Sequence, residues 1–225
     1  MLILGIDDAG RGPVIGPMVL AGVLIDKETE KQFVKLGIRD SKTLLPKKRE
    51  ELAKIIKERV IDSFCVKISV DEIDNKSGDR LNLNQREAVA SAQIINQIAK
   101  RLKDKKEKIG VIIDCPSVNI PAWKDYVEKF LMARGNIELV CEHKADVNHV
   151  VVSAASIVAK TTRDAEIEKI KKQIGINFGS GYSSDPVTRK FIYDNYDKFK
   201  DKGIFRESWD TIKKYKLHGA QKKLF

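Results

Sequence analysis

Cysteine, histidine and tryptophan are scarce in this chain, at three, three and two of 225 residues. Cys65, Cys115 and Cys141 are scattered with no CxxC pair, so neither a disulfide framework nor a structural zinc site is expected. Reduced thiols and a cytoplasmic setting follow from the same pattern. The only histidines are His143, His149 and His218, and no GxSxG occurs, which leaves triad-type hydrolysis without its parts. The absence of GxxxxGK[ST] removes a P-loop. Gly10-Arg-Gly12-Pro-Val-Ile-Gly16 has the spacing GxGxxxG and runs into a second strand-like stretch, so a dinucleotide fold fails on spacing and on context. No run reaches the roughly 18 apolar residues of a membrane span. The opening MLILGIDDAG lacks the basic n-region of a signal peptide.

What the chain does have is 42% hydrophobic and 33% charged residues, enough for one large domain, or for a domain with an appendage. The formal net charge of +10 favours a polyanionic partner, most simply nucleic acid, although a solvated lysine-rich surface gives the same figure.

Apolar runs and amphipathic stretches alternate. LILGID, Pro17 to Ile25, Phe64 to Val70, Gly110 to Pro116 and Ile137 to His143 read as strands. PKKREELAKIIKERV, LNLNQREAVASAQIINQIAKRLKDKK, PAWKDYVEKFLMARG and VVVSAASIVAKTTRDAEIEKIKKQIG read as helices, the last with a first half so apolar that it belongs in the core. The class is α/β: a mixed sheet flanked by helices, with a small helical C-terminal appendage. The Gly/Ser loop near residues 179–184 is the best boundary, giving a catalytic domain at 1–180 and a helical region with a basic tail at 181–225.

Acidic residues supply the candidate chemistry. Asp7 and Asp8 end the first strand, Asp114 ends the buried strand VIID, and Asp146 precedes the buried helix. Any one of these is ordinarily a turn or cap residue. Together, at the ends of several strands, they can converge on one sheet edge, where α/β proteins place their sites. Adjacent carboxylates repel and need compensation. An all-oxygen set without histidine or cysteine favours hard divalent cations, Mg²⁺ or Mn²⁺, in a two-ion arrangement suited to phosphoryl chemistry.

GIDDAGRGPVIGPMVLAG, DSKTL (Asp40 to Leu44), VIIDCP, KADVNHVVVSAASIVAKTTRD and GSGYSSDP occur in an order and spacing that resembles ribonuclease HII, up to about residue 190 and closest to its archaeal branch. The resemblance implies a ribonuclease H-like fold. It also implies endonucleolytic cleavage of the RNA strand of RNA–DNA hybrids, and of duplex DNA 5′ to an embedded ribonucleotide, leaving 3′-hydroxyl and 5′-phosphate ends. Carried over by position, the catalytic and metal-binding acids are Asp7, Asp8, Asp114 and Asp146. The Gly10-Arg11-Gly12 loop then meets ribose 2′-hydroxyls through its backbone, Tyr182 packs on the next deoxyribose, and Lys42 holds a phosphate. Ser153, near the start of the buried helix, is a candidate for phosphate contact, and Asp164 for a supporting role.

Two positions depart from the family pattern. Asp8 stands where glutamate is usual, one methylene shorter, and Ser183 stands where proline usually follows the tyrosine, which implies a looser loop. Trp123 and Trp209 read as packing residues, and neither His143 nor His149 is favoured as a proton shuttle. Gln221, Leu224 and Phe225 match part of a sliding-clamp peptide, but the chain stops before its aromatic pair, and a plain basic tail is the simpler account. The expected partners are thus RNA–DNA hybrid, ribonucleotide-containing duplex and, as a candidate, a clamp; the protein is expected to be monomeric and off the membrane. Another nuclease of the same fold, or a hybrid-binding protein whose metal site Asp8 has spoiled, are the alternatives.

Overall fold

The computed structural model describes residues 1–38, 45–76, 78–102, 107–132 and 135–222, with side chains as far as residue 217. Lys42 with the rest of DSKTL, Leu224, Phe225 and the side chain of Gln221 lie outside the described residues. In chain order the elements are β1 (Leu2–Ala9), β2 (Met18–Ile25), α1 (Lys27–Lys35), α2 (Pro46–Arg59), β3 (Asp62–Ile68), α3 (Val70–Ile73) and α4 (Leu83–Arg101). There follow β4 (Ile109–Asp114), α5 (Ile120–Glu128), β5 (Ile137–Glu142), α6 (Ala145–Asn148), α7 (Val150–Ile174), α8 (Pro186–Phe199) and α9 (Asp210–Lys222).

The strands form one sheet in the order β3-β2-β1-β4-β5. β1 pairs antiparallel with β2 and parallel with β4, and β4 pairs parallel with β5, so the sheet is mixed, as the sequence pattern implies. Every residue of β2 is buried, which fits a strand covered on both faces. Glycine lets the helices come close. A Cβ on Gly5 would stand 2.5 Å from the Val151 carbonyl carbon, so α7 rests its backbone on that side of β1. A Cβ on Gly22 would meet the side chains of Ile94 and Ile98, which places α4 on the other face. Val151, Val152, Ala154, Ala155, Val158 and Ala159 of α7 join Ala21, Val23 and Ile25 in one core cluster.

Several elements differ from the sequence expectation, α5 and α1 among them. α5 stops at Glu128 rather than running to Gly135, because Asn96 of α4 captures the chain: its side chain donates to the Phe130 carbonyl at 2.8 Å and accepts the Met132 N–H at 2.9 Å. α1 is a helix the sequence reading does not assign, and it is started by Asp26, whose carboxylate accepts the Thr29 N–H at 2.8 Å.

The chain divides into two compact units. The first comprises Met1–Ala9, Val19–Lys67 and Leu83–Thr162, and holds the sheet. The second takes Gly10–Met18, Ile68–Asn82 and the chain from Arg163 onward, three stretches where the sequence suggested a single cut after residue 180. Its core explains why: Val14 and Ile15 pack with Phe178, Phe191, Phe199 and Phe205, and Ile15 bridges to Phe205 as a short antiparallel pair.

Candidate active site

Within the first unit, β1, β4 and β5 all run the same way, so their C-terminal ends share one edge. Asp7 and Asp8 lie near that end of β1, and alternation along a strand sends them to opposite faces. Asp7 shares its face with Gly5 and Ala9, on the α7 side, and is only 6% exposed. Its Oδ1 accepts the Asp8 N–H at 2.8 Å, and the buried hydroxyl of Ser156, on α7, also donates to it. These bonds do not offset the surroundings. Burial above all, then the negative charge of Asp8 and of Asp114, push the Asp7 carboxyl up to about 8.

Strand register places Asp114, and the turn that follows β5 places Asp146. Ile6 stands opposite Ile113, so one step further along the parallel pair lie Asp7 and Asp114. Asp114 accepts the Ala145 N–H on Oδ1 at 3.1 Å and so ties the first residue of α6 to the end of β4. Lys144, in the left-handed region at φ 59°, turns the chain into α6, and Asp146 is its second residue, 4% exposed. Among the described residues, no three His, Cys, Asp or Glu side chains stand close enough to cage an ion. Asp7 feels the negative charges of both Asp8 and Asp114.

The second unit carries the Gly10–Gly12 loop and the Tyr182 loop, stapled to each other. The Gly181 carbonyl accepts the N–H groups of Val14 at 2.8 Å and Ile15 at 3.3 Å. Arg163, buried, donates to the Ser180 carbonyl at 2.8 Å and lays its guanidinium 5.3 Å from the Tyr182 ring centre. Gly10 needs to be glycine: its φ is +89°, and a Cβ would press on the Pro17 carbonyl oxygen at 3.1 Å. Gly12 does not: its φ is ordinary, and a Cβ would make only a 3.7 Å contact with Tyr182.

The ribonuclease HII family model matches residues 4–212 of this sequence. The chain belongs to the ribonuclease HII family. It is 44% identical to the ribonuclease HII of Thermococcus sibiricus, over 95% of this chain and 91% of that one. The crystal structure of a Pyrococcus horikoshii ribonuclease H2 superposes with a TM-score of 0.83 at 34% identity, covering 97% of this chain and 98% of that one. An Archaeoglobus fulgidus ribonuclease HII, solved in complex with PCNA, gives 0.80 at 33% identity, covering 93% and 96%. The protein is therefore an endoribonuclease acting on RNA–DNA hybrids and on ribonucleotides embedded in DNA.

The structure places the remaining expected residues as follows. Ser153 is wholly buried on α7 and presents no surface to a phosphate; the serine that reaches the acids is Ser156, three residues on. Asp164 contacts its neighbour, with Arg163 Nη1 at 3.5 Å from its Oδ1. His149 pairs with Glu142 at 2.9 Å, and His143 Nδ1 lies 3.0 Å from the Cys115 carbonyl oxygen, so both have structural partners. Trp123 packs as expected and donates to the Asn84 carbonyl at 2.9 Å. Trp209 does more than pack, since its indole N–H reaches the Gly12 carbonyl at 3.3 Å.

Ser183 does not leave its loop slack. Asp185 accepts from the Ser180 N–H at 2.7 Å, the Ser180 hydroxyl at 2.9 Å, the Val187 N–H at 2.9 Å and the Thr188 hydroxyl at 3.2 Å. These donors, the Ser180 amide foremost, pull its carboxyl down to about 2. The sequence signal for this brace was legible as Asp185 before Pro186, an N-cap followed by proline at the first helical position.

Proposed function

We propose that Asp7, Asp8, Asp114 and Asp146 are the catalytic acids and hold two divalent ions, Mg²⁺ or Mn²⁺. The observation that carries this is Asp7, a buried carboxyl at the end of β1 whose pKa is pushed up to about 8 by burial first and then by the charges of Asp8 and Asp114. The donors are all hard oxygens, which suits such ions in kind and in charge. When bound, those ions supply the Lewis acidity that activates water and stabilises a leaving 3′-oxygen. The chain's own contribution is orientation. The Asp8 amide and Ser156 fix the Asp7 carboxylate, and Asp114 anchors the turn that carries Asp146.

Recognition is assigned to the second unit. The backbone of Gly10, Arg11 and Gly12 meets the ribose 2′-hydroxyl, the group that tells RNA from DNA. Tyr182, 38% exposed and backed by Arg163, packs on the following deoxyribose. Lys42 contributes a phosphate contact, Asp164 supports Arg163, and the net charge of +10 supplies salt-sensitive affinity for the backbone. Cleavage then falls 5′ to the ribonucleotide and leaves a 3′-hydroxyl and a 5′-phosphate.

The test is an end-labelled DNA duplex with one ribonucleotide, incubated in Mg²⁺, in Mn²⁺ and in EDTA with the protein and with Asp7→Asn. One metal-dependent cut on the 5′ side, lost in Asp7→Asn, is the expected result; a cut that survives in Asp7→Asn rejects the assignment. For the C-terminal tail, Gln221, Leu224 and Phe225 are assigned to a sliding clamp, because the Archaeoglobus fulgidus relative was solved with PCNA. A peptide of the last dozen residues then titrates the clamp, and silence at high micromolar peptide ends that assignment.

A further inference from the structure

Arg206 is wholly buried and heads the largest of the fully buried side chains, yet it is an arginine. A guanidinium is costly to bury unless its N–H groups are met. Here they are met by backbone carbonyls of one short stretch. Nη2 donates to Gly10 O at 2.6 Å, Nη1 to Arg11 O at 2.8 Å and Nε to Gly16 O at 2.9 Å. Trp209, whose ring lies 5.0 Å from the same guanidinium, donates to Gly12 O at 3.3 Å. The carbonyls of three consecutive residues are thus drawn toward a single segment, 206–209.

Peptide planarity turns this into a statement about the other side of the loop. In a trans peptide the C=O and the following N–H point in opposite directions, and the described residues contain no cis bond. Fixing the carbonyls of Gly10 and Arg11 therefore turns the N–H groups of Arg11 and Gly12 away from Arg206. The run of amides ends there, because residue 13 is proline, and Gly12 is exposed. Two successive outward N–H groups form a small polar concavity suited to an oxygen ligand.

The segment that does this is itself held. Asp74, just past α3, accepts the N–H of Glu207 at 2.7 Å, the N–H of Ser208 at 3.0 Å and the Ser208 hydroxyl at 2.5 Å. The Arg206 N–H closes the circuit on Val14 O at 2.9 Å.

We infer that Arg206, under the anchorage of Asp74, is a positioning residue that pre-sets the Gly10–Gly12 amides for the ribose 2′-hydroxyl. This rests on the reading of that loop as the ribonucleotide sensor. Arg206 touches no substrate; it acts by removing the rotational freedom of two peptide planes, so its contribution is to discrimination rather than to general affinity.

The test measures binding in EDTA by fluorescence anisotropy. The probes are a DNA duplex with one ribonucleotide and the same duplex without it. The proteins are wild type, Arg206→Lys, Trp209→Phe and Asp74→Asn, each with a thermal melt. Lysine keeps the charge but not the planar fork. The ratio of the two affinities is expected to fall about tenfold in Arg206→Lys and about threefold in Asp74→Asn, and to stay near wild type in Trp209→Phe, which loses only a bond to a carbonyl followed by proline, with the all-DNA affinity within about twofold of wild type throughout. A lowered melting temperature with an unchanged ratio makes Arg206 a merely structural residue and overturns the inference. Asp74→Asn, which loosens the segment that carries Arg206 without altering the guanidinium, carries the test if Arg206→Lys does not fold. If wild type itself shows no preference for the ribonucleotide, it is the reading of the loop that fails, and this inference falls with it.

Discussion

Replacing Asp7 with asparagine should abolish cleavage and yet make the metal-free protein more stable. The Asp7 carboxyl rises from 3.8 to about 8 in the folded chain, through burial first and the neighbouring charges of Asp8 and Asp114 second. A raised folded pKa means that the folded state holds a proton the unfolded state releases. The stability associated with that proton is intact below about pH 4 and drains away as pH climbs to about 8. At about 1.4 kcal/mol per unit, the penalty is about 4 kcal/mol at pH 7 and about 6 kcal/mol above pH 8. Asparagine escapes it while keeping an oxygen for the Asp8 N–H; leaving its amide group unmatched returns about 1–2 kcal/mol. The net expectation is a variant about 2–3 kcal/mol more stable at pH 7 and no more stable than wild type near pH 4. Urea unfolding in EDTA at pH 4.5, 6, 7 and 8.5 measures the difference directly, and groups common to both proteins cancel. A variant less stable than wild type at pH 8.5, or a difference that does not grow with pH, refutes the reasoning. Added Mg²⁺ should raise the wild-type midpoint and leave the variant nearly unmoved.

Gly5→Ala forces a methyl against the backbone of Val151 and Val152, and should cost about 3 kcal/mol in thermal or urea unfolding; a loss below about 1 kcal/mol would mean that α7 shifts freely. Gly10→Ala should lose about 1–2 kcal/mol from its positive φ, whereas Gly12→Ala should change stability by less than about 0.5 kcal/mol while cutting kcat/KM on a single-ribonucleotide duplex at least about tenfold. Equal stability losses at the two glycines would contradict the assignment of Gly12 to substrate. Asp185→Ala removes the α8 N-cap, at about 1 kcal/mol, and frees the Tyr182 loop, so limited proteolysis should nick near residues 180–184 faster than in wild type. Asp8→Glu should alter the ratio of Mg²⁺ to Mn²⁺ rates; identical ratios would show that the missing methylene has no consequence.

Much of the fold was legible because burial writes itself into the chain. The apolar runs of β1, β2 and β4 are those a covered sheet requires, and the near-continuous apolar first half of α7 marks a helix sealed against it. The acids were legible for a related reason: charge at the end of an apolar strand contradicts its surroundings, and such a contradiction needs a purpose. Ser153 and Ser156 show where that legibility stops. Both sit on the same apolar helix most of a turn apart, and only the way α7 lies along β1, with Val151 and Val152 against Gly5, brings Ser156 to Asp7. Trp209 could be read as packing because an indole is mostly surface, and its one N–H has meaning only once the Gly12 carbonyl lies before it.

The sequence by itself determined the class of fold, the mixed character of the sheet, the family and the choice of candidate acids, since each rests on local pattern or on a run of motifs. Tertiary structure alone decided that the Asp7 carboxyl is pushed up to about 8, because desolvation and the charges of Asp8 and Asp114 depend on what is folded around it. It alone decided that Arg206, 190 and more residues from the loop it grips, sets the direction of the Gly10–Gly12 peptides. No local pattern encodes that pairing: a buried guanidinium is chosen by carbonyls that the chain brings to it only on folding.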